Sequence, residues 1–400
     1  MHEQELLLQI ADTLPHWYEA EHGPVEHVMA VGGEELVLRS HATPGPEMAA
    51  VYDFIDRHLE KWAASLPEVV TIRDLASVQR EVVVAWLRQH DADVQWERLF
   101  AWADNLEFRT SENRPVTLNL ILSPGNGASD ITEVSLQKGL DSIATSGQVF
   151  LEVDKHLCFL DYRQITREDI CQLPVPAFNP DFLDPFVTVL GPGQWSFHIT
   201  ESGDTIVLDR GGLMASCRKG RWAIYDRAAL LSAASSIFGG RDIANNILLS
   251  ALDLSYRRKG ALLVFDPESR VVDHLVECAC LLADPDRPPT GIHALLGPRA
   301  STINMSATAE SEHQRKLLLE LATIDGTVMF DSSSVLAFGG ILHMHDAARG
   351  HLGARTTAAY SAYHWGGVPV MISADGEMTI VFTSRDPETG EGGAATLTLL

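Results

Sequence analysis

The sequence predicts a mixed α/β protein (α+β overall), with a smaller helical and α+β N-terminal domain ahead of a twisted mixed β-sheet flanked by helices. Three observations predict it. Apolar residues recur at helical spacing early in the chain, short β-rich runs bounded by Gly and Pro follow from Val116 onward, and Ala261–Phe265 is a continuous apolar run. A run of that kind suits a central strand buried on both faces.

The elements follow in order. Met48, Val51, Tyr52, Ile55, Leu59 and Trp62 mark one apolar helix face, and Val78, Val82, Val83, Trp86 and Leu87 mark a second. Residues 116–122 read as a strand between Pro115 and Pro124. A turn at 123–129 leads to a helix over 132–144, then to strands at 149–153 and 157–162. The proline-rich segment 173–180 is the linker candidate. It divides the chain into a domain at 1–175, a linker at 176–184 and a domain at 185–400 whose core is 241–385. Beyond it, strands are expected at 187–190, 195–199 and 205–208, with a hairpin from Gly211 through Lys219-Gly220 to Tyr225. Helices are expected at 228–238, 243–257, 311–322 and 355–365. The remaining strands fall at 327–330, 335–342, 368–373 and 378–382, and 387–393 reads as a turn. No repeat with a period of about 20–50 residues is evident.

Composition narrows the function. The 400 residues carry 30 basic and 54 acidic side chains, a formal net charge of −24. That balance argues against a general nucleic-acid surface, which needs clustered Lys and Arg. It leaves room for a small phosphate ligand held by a few local donors or a bridging metal. Five cysteines without a C-x-x-C pair do not make a disulfide framework and fit a reducing cytoplasm. The acidic start, Met-His-Glu-Gln-Glu, does not read as a signal peptide. No apolar run reaches about 18 residues, so no membrane span is expected.

The chemistry concentrates between Ile324 and Phe382. Asp325-Gly326-Thr327 is a turn running into a strand, Gly339 and Gly340 lie within the next strand, and Gly353-Ala-Arg-Thr-Thr-Ala-Ala359 enters a helix. A strand-start aspartate suits Mg²⁺ or Mn²⁺, hard cations that take carboxylate oxygens. A helix N-terminus offers free N–H groups and the positive dipole end to phosphates, and Arg355 adds a planar fork of donors.

These segments, with Lys259-Gly-Ala-Leu-Leu-Val-Phe265 upstream, resemble the diadenylate cyclase domain, the nucleotide-binding domain of DNA-integrity scanning proteins. That family carries Asp-Gly-Ala before a strand and Gly-Thr-Arg-His-Arg-Ala-Ala into a helix. The resemblance covers about 120 residues, from Gly260 to Phe382, with order and spacing kept. It implies a diadenylate-cyclase-type sheet and a nucleotide site. Asp325, Gly326 and Thr327 line one side, the backbone of Gly339, Gly340 and Leu342 meets the base, and Gly353, Arg355, Thr356 and Thr357 face the phosphates. Mg²⁺ or Mn²⁺ at Asp325 accompanies the nucleotide. In the family the Arg-His-Arg stretch contacts ATP phosphates. Here Ala354 stands for its first threonine, and Thr356 and Thr357 stand for its histidine and second arginine. A serine-glutamate pair found in some members is replaced by Ser373-Ala374-Asp375. Losing charged donors removes stabilisation of a transferred phosphoryl group. The expectation is therefore a sensor for ATP or a cyclic dinucleotide, in a possible homo-oligomer, with enzyme activity left open and Asp325 the catalytic residue if it exists. The alternatives are an active cyclase and a ligand-free interaction protein.

Four features also have plain readings. Asp325-Gly326 is also a common turn dipeptide, and Arg355 also a typical surface residue. His343-Met-His345 places two imidazoles on one strand face, with no Cys or second His cluster to complete a metal site. The glycine-rich turn at 123–129 lacks the Gly-Lys-Ser/Thr ending of a phosphate loop.

Overall fold

The computed structural model describes residues 6–7, 9–10, 13–14, 18–19, 25–31, 34–40, 45–67, 70–107, 110–111, 114–133, 148–166, 169, 177–276, 281–282, 289–306, 311–351, 353–385 and 392–399. In chain order the strands begin with β1 (Tyr18–Glu19), β2 (Val25–Val31), β3 (Glu34–Ser40), β4 (Thr110–Ser111) and β5 (Arg114–Pro115). They continue with β6 (Leu118–Ser123), β7 (Val149–Asp154), β8 (Phe159–Gln164), β9 (Trp195–Ile199), β10 (Thr205–Asp209), β11 (Gly212–Arg218) and β12 (Arg221–Ile224). The rest are β13 (Ala261–Phe265), β14 (Thr327–Phe330), β15 (Val335–Gly340), β16 (Val368–Ile372), β17 (Met378–Arg385) and β18 (Gly392–Leu399). The helices are α1 (Pro46–Ser65), α2 (Ile72–His90), α3 (Trp96–Glu107), α4 (Asp184–Val189) and α5 (Arg227–Phe238). They end with α6 (Arg241–Tyr256), α7 (Gly291–Ala300), α8 (Ser311–Ala322) and α9 (Ala354–His364). The chain is thus mixed α/β, as expected, with two seven-stranded mixed sheets among the described residues.

The chain divides into two compact units. The first comprises Met1–Pro15, Val28–Leu38 and Thr43–Arg227, the second His16–His27, Arg39–Ala42 and Ala228–Leu400. In the first unit, α1 buries the face its spacing predicts, from Met48 to Trp62. At the start of α2, Thr71 and Asp74 form a reciprocal capping box. The first unit's sheet runs β12-β11-β10-β9-β6-β7-β8, and β6–β7 is its parallel pair. The expected helix at 132–144 lies largely outside the described residues.

Two expectations are corrected here. The segment 176–184 does not separate two domains. Strand β6 hydrogen-bonds to β9 across it, Leu118 opposite Ile199 and Leu122 opposite Trp195, and Phe178 bridges to Gly212. Proline ends an element, but it does not decide which sheet the chain rejoins. Residues 187–190 are not a strand, since α4 covers them as far as Val189, with a proline in its first turn and Phe186 and Val187 buried. Proline presets the φ of a first helical turn, which here outweighs the β-branched Val-Thr-Val. The sequence also gave no sign of β2, β3 or β18, and β18 pairs with β17 from Met378–Leu399 to Arg385–Gly392.

The second unit's sheet runs β1-β18-β17-β16-β13-β14-β15. Strands β13 and β14 are parallel, so the chain between them must cross over, and α7 and α8 lie on that path. All five residues of β13 are buried, as its apolar run predicts. Helix α9 packs on this sheet through a core that holds Leu262, Val264, Met329, Ala337, Leu342, Ala359 and Ala362. The two alanines let the helix backbone approach closely. Each fully buried Leu or Val here is worth about 1.5–3 kcal/mol, enough to hold the helix start in register with the strands. Behind the sheet, Asp253 of α6 and Arg315 of α8 form a bidentate ion pair in which both side chains are buried. Among the described residues, no helix is long and apolar enough to cross a membrane.

Candidate functional site

Two backbone segments of the second unit, around Gly326 and around Gly339–Gly340, approach each other closely. Gly326 has φ of 117°, and a Cβ placed there would lie 2.5 Å from the carbonyl carbon of Gly339 and 2.9 Å from the nitrogen of Gly340. Gly339, at φ 65°, would carry a Cβ 3.1 Å from Ile324 Cγ2 and 3.3 Å from His293 Nε2. Both conformations belong to the left-handed side of φ, where glycine is at home. Thr327 is buried opposite Gly340 in the β14–β15 ladder. The chain then leaves the sheet through exposed Ile341 and buried Leu342, and Leu342 bridges to Leu275. The result is a close backbone approach between the start of β14 and the end of β15, with the Ile324 and His293 side chains against Gly339.

His293 of α7 belongs to this arrangement. Its Nε2 donates to the carbonyl oxygen of Phe338 at 2.9 Å, and its ring lies 4.7 Å from the Phe338 ring. No local pattern marks this residue, because only the tertiary fold brings α7 to Gly339.

The start of α9 supplies donors. Gly353 occupies the cap position at φ 97°, with no side-chain cap. The first helical bond runs from Thr357 N–H to Gly353 O at 3.0 Å, so the N–H groups of Ala354, Arg355 and Thr356 have no partner within the helix. The Arg355 guanidinium lies flat on Gly260, where a Cβ would stand 2.5 Å from its Nη1. Gly260 is therefore part of the arrangement. Asp325 and Arg355 are both exposed. Neither side chain makes a hydrogen bond or ion pair among the described residues.

The two threonines face otherwise than the resemblance implies. The Thr357 hydroxyl donates to the carbonyl oxygens of Gly353 at 2.9 Å and His351 at 3.3 Å. The Thr356 hydroxyl is directed to Met371 Sδ at 3.6 Å, on β16 beneath the helix. Neither replaces the charge of the family's Arg-His-Arg stretch.

The other candidates make local bonds. The His343 N–H donates to the His274 carbonyl, and the His345 Nδ1 accepts the Ala347 N–H at 3.1 Å. Among the described residues no group of three or more His, Cys, Asp or Glu side chains is placed to hold a metal. In the turn at 123–129, the Gly127 N–H is taken by the Asp154 carboxylate at 2.8 Å, as a plain connection would have it.

The first unit holds a string that sequence reading missed. Ser196 Oγ lies 2.5 Å from His198 Nε2, and His198 Nδ1 lies 2.8 Å from Asn119 Oδ1. Asn119 Nδ2 donates to the Val149 carbonyl at 3.2 Å, which turns its Oδ1 to the imidazole. That oxygen only accepts, so His198 carries its proton on Nδ1 and accepts the Ser196 proton on Nε2. The string has the order of a hydrolytic triad, yet Ser196 is 0% and His198 1% exposed, and Phe186 packs on the ring at 4.5 Å. No substrate reaches it, so its role is structural.

Burial pushes the His198 pKa down from 6.5 to about 3. The unfolded chain binds a proton near pH 6.5 and the folded chain resists it. This contribution to stability is whole above pH 6.5 and is lost progressively as pH falls toward 3, by at most about 1.4 kcal/mol per pH unit. Thermal unfolding between pH 7 and pH 4 checks this. His198→Gln is expected to flatten the fall, and an unchanged slope contradicts the assignment.

Comparison with known proteins adds little to this geometry. No protein-family model matches the chain, and no curated protein matches it. Among solved structures, it is similar to a double mutant of DacA from Staphylococcus aureus, at 17% identity and a TM-score of 0.24, over 38% of this chain and 85% of that one. It is also similar to a hypothetical membrane spanning protein from Bacillus cereus, at 18% identity and a TM-score of 0.25, over 41% of this chain and 64% of that one. At such identities and scores these likenesses carry no argument about activity.

Proposed function

We propose that the second unit binds an adenine nucleotide, ATP or a cyclic dinucleotide, and reads it rather than makes it. The observation that carries this reading is the close backbone approach of Gly326, Gly339 and Gly340 beside the unpaired charges of Asp325 and Arg355. In this reading a flat base lies on the backbone of Gly339 beside His293, and phosphates meet the α9 N–H groups and Arg355. Asp325 is a single carboxylate, which suits Mg²⁺ or Mn²⁺ only when the nucleotide's phosphates complete the shell. The first unit passes the signal on or mediates assembly.

Sensing is favoured over synthesis by the threonines. Joining two ATP molecules needs fixed charge on the transferred phosphoryl group, each donor worth roughly 2.7–4 kcal/mol. Thr356 and Thr357 supply no charge, and their hydroxyls already have partners. Incubation with ATP and Mn²⁺ followed by chromatography is expected to show no product, and an Asp325-dependent product would overturn the reading. Arg355→Ala is expected to weaken nucleotide binding about 10- to 100-fold, since a hydrogen bond to a charged group contributes about 1.5–3 kcal/mol. The melting temperature of the free protein should not move, because the side chain is exposed. Calorimetry on the two proteins checks both halves.

A further inference from the structure

We infer that the chain is two copies of one module in tandem, and that only the C-terminal copy keeps an open ligand face. The two sheets agree strand by strand. Read from β12 and from β1, each runs through four antiparallel pairs, one parallel pair and a last antiparallel pair. Apart from the outermost strand, chain order matches as well: β6, β7, β8, β9, β10 and β11 stand where β13, β14, β15, β16, β17 and β18 stand.

Register agrees too. Phe197–Val207, His198–Ile206 and Ile199–Thr205 correspond to Val370–Ile380, Met371–Thr379 and Ile372–Met378. The turns that follow β9 and β16 have the same bonds. Thr200 N–H donates to Asp204 O at 2.9 Å and Gly203 N–H to Thr200 O at 2.9 Å. Ser373 N–H donates to Glu377 O at 2.8 Å and Gly376 N–H to Ser373 O at 2.9 Å. Both glycines have positive φ, 78° and 98°. The β7–β8 and β14–β15 hairpins share a device as well. Asp154 binds the His156 and Cys158 N–H groups, and Asp331 binds those of Ser333 and Ser334. A common sheet class does not require one register, one glycine turn and one aspartate-held hairpin together.

The ligand face has diverged. Through the matched ladders, Val149 and Phe150 stand where the second unit has Gly326 and Thr327, and Arg163 stands where it has Gly340. Arg163 lies over the Phe150 ring at 5.8 Å, so side chains stand in the place of the two glycines. Asn119 and His198 stand where Leu262 and Met371 lie beneath α9; the named helix of that connection among the described residues is the six-residue α4, and the connection has no Gly-x-Arg segment.

The count of ligands rests on the nucleotide reading above; the duplication does not. A crystal structure of the full chain grown with ATP and Mg²⁺ tests both. The expected result is superposition of β6, β7, β9 and β10 on β13, β14, β16 and β17 with the same connectivity, and nucleotide in the second unit alone. A different strand order overturns the duplication, and nucleotide on the β7–β8 face overturns the closed copy. Matching sheets with no nucleotide and with Arg163 over Phe150 uphold the inference and count against the nucleotide reading instead. In solution, calorimetry with ATP and Mg²⁺ should give one site per chain, unaffected by Arg163→Ala; two sites contradict the closed copy.

Discussion

Gly326→Val is expected to abolish nucleotide binding, a loss of at least about 100-fold, while the second unit stays folded. The loss follows from two independent costs. At φ 117° a β-branched side chain is strained whatever space surrounds it. Its Cβ would also stand 2.5 Å from the backbone of Gly339, closer than real Cβ atoms stand to anything. Backbone cannot swing aside as a long side chain can, so the 325–326 turn must lift off β15. That movement breaks the close approach of the two segments and carries Asp325 away from the proposed ligand position. Gly326→Ala should show the same effect with smaller strain. Gly350→Ala is the control, because a Cβ there meets nothing within 4 Å. Calorimetry with circular dichroism separates lost binding from lost fold; full affinity in folded Gly326→Val would refute this placement of the ligand.

Asp253→Ala is expected to destabilise the second unit by about 3–5 kcal/mol. Asp253 is 0% exposed and Arg315 8%, and the two carboxylate oxygens meet two nitrogens of the guanidinium. Removing the carboxylate takes the bidentate partner away from a buried guanidinium, and breaking such a pair from one side dominates the cost. The double variant Asp253→Leu/Arg315→Met removes both charges and is expected to recover most of the loss, since buried pairs are often replaceable by apolar groups of similar volume. Denaturant unfolding of the wild type and the two variants checks this. Equal destabilisation in the single and double variants would show that the pair itself, and not its one-sided loss, sets the energy.

What was legible in the sequence was local. The face of α1 from Met48 to Trp62 follows from three- and four-residue spacing, and β13 follows from an apolar run of strand length. Glycines at 326, 339 and 353 stood out, and each proves to have positive φ. What escaped was set by distant partners. Strand β18 opens with Gly392, Gly393, Ala394 and Ala395, which have little strand preference, and it exists because β17 offers hydrogen bonds. The linker was misplaced because the return of β9 to β6 leaves no trace between them. His293 reaches Gly339 only through the packing of α7. Thr357 looked like a phosphate donor, but a threonine in a helix readily bonds the carbonyl four residues back, here Gly353. The duplication escaped a search for short repeats because its period is a whole module and its loops differ in length.

The central claim is that the second unit binds a nucleotide and leaves it unchanged. The direct measurement is calorimetric titration of the full chain with ATP and Mg²⁺, and separately with cyclic di-AMP, with the nucleotide recovered afterwards by chromatography. The account predicts saturable binding of at least one of them at one site per chain, weakened by Arg355→Ala, and the nucleotide recovered intact. No saturable heat with either ligand, or a new cyclic product from ATP, would contradict it.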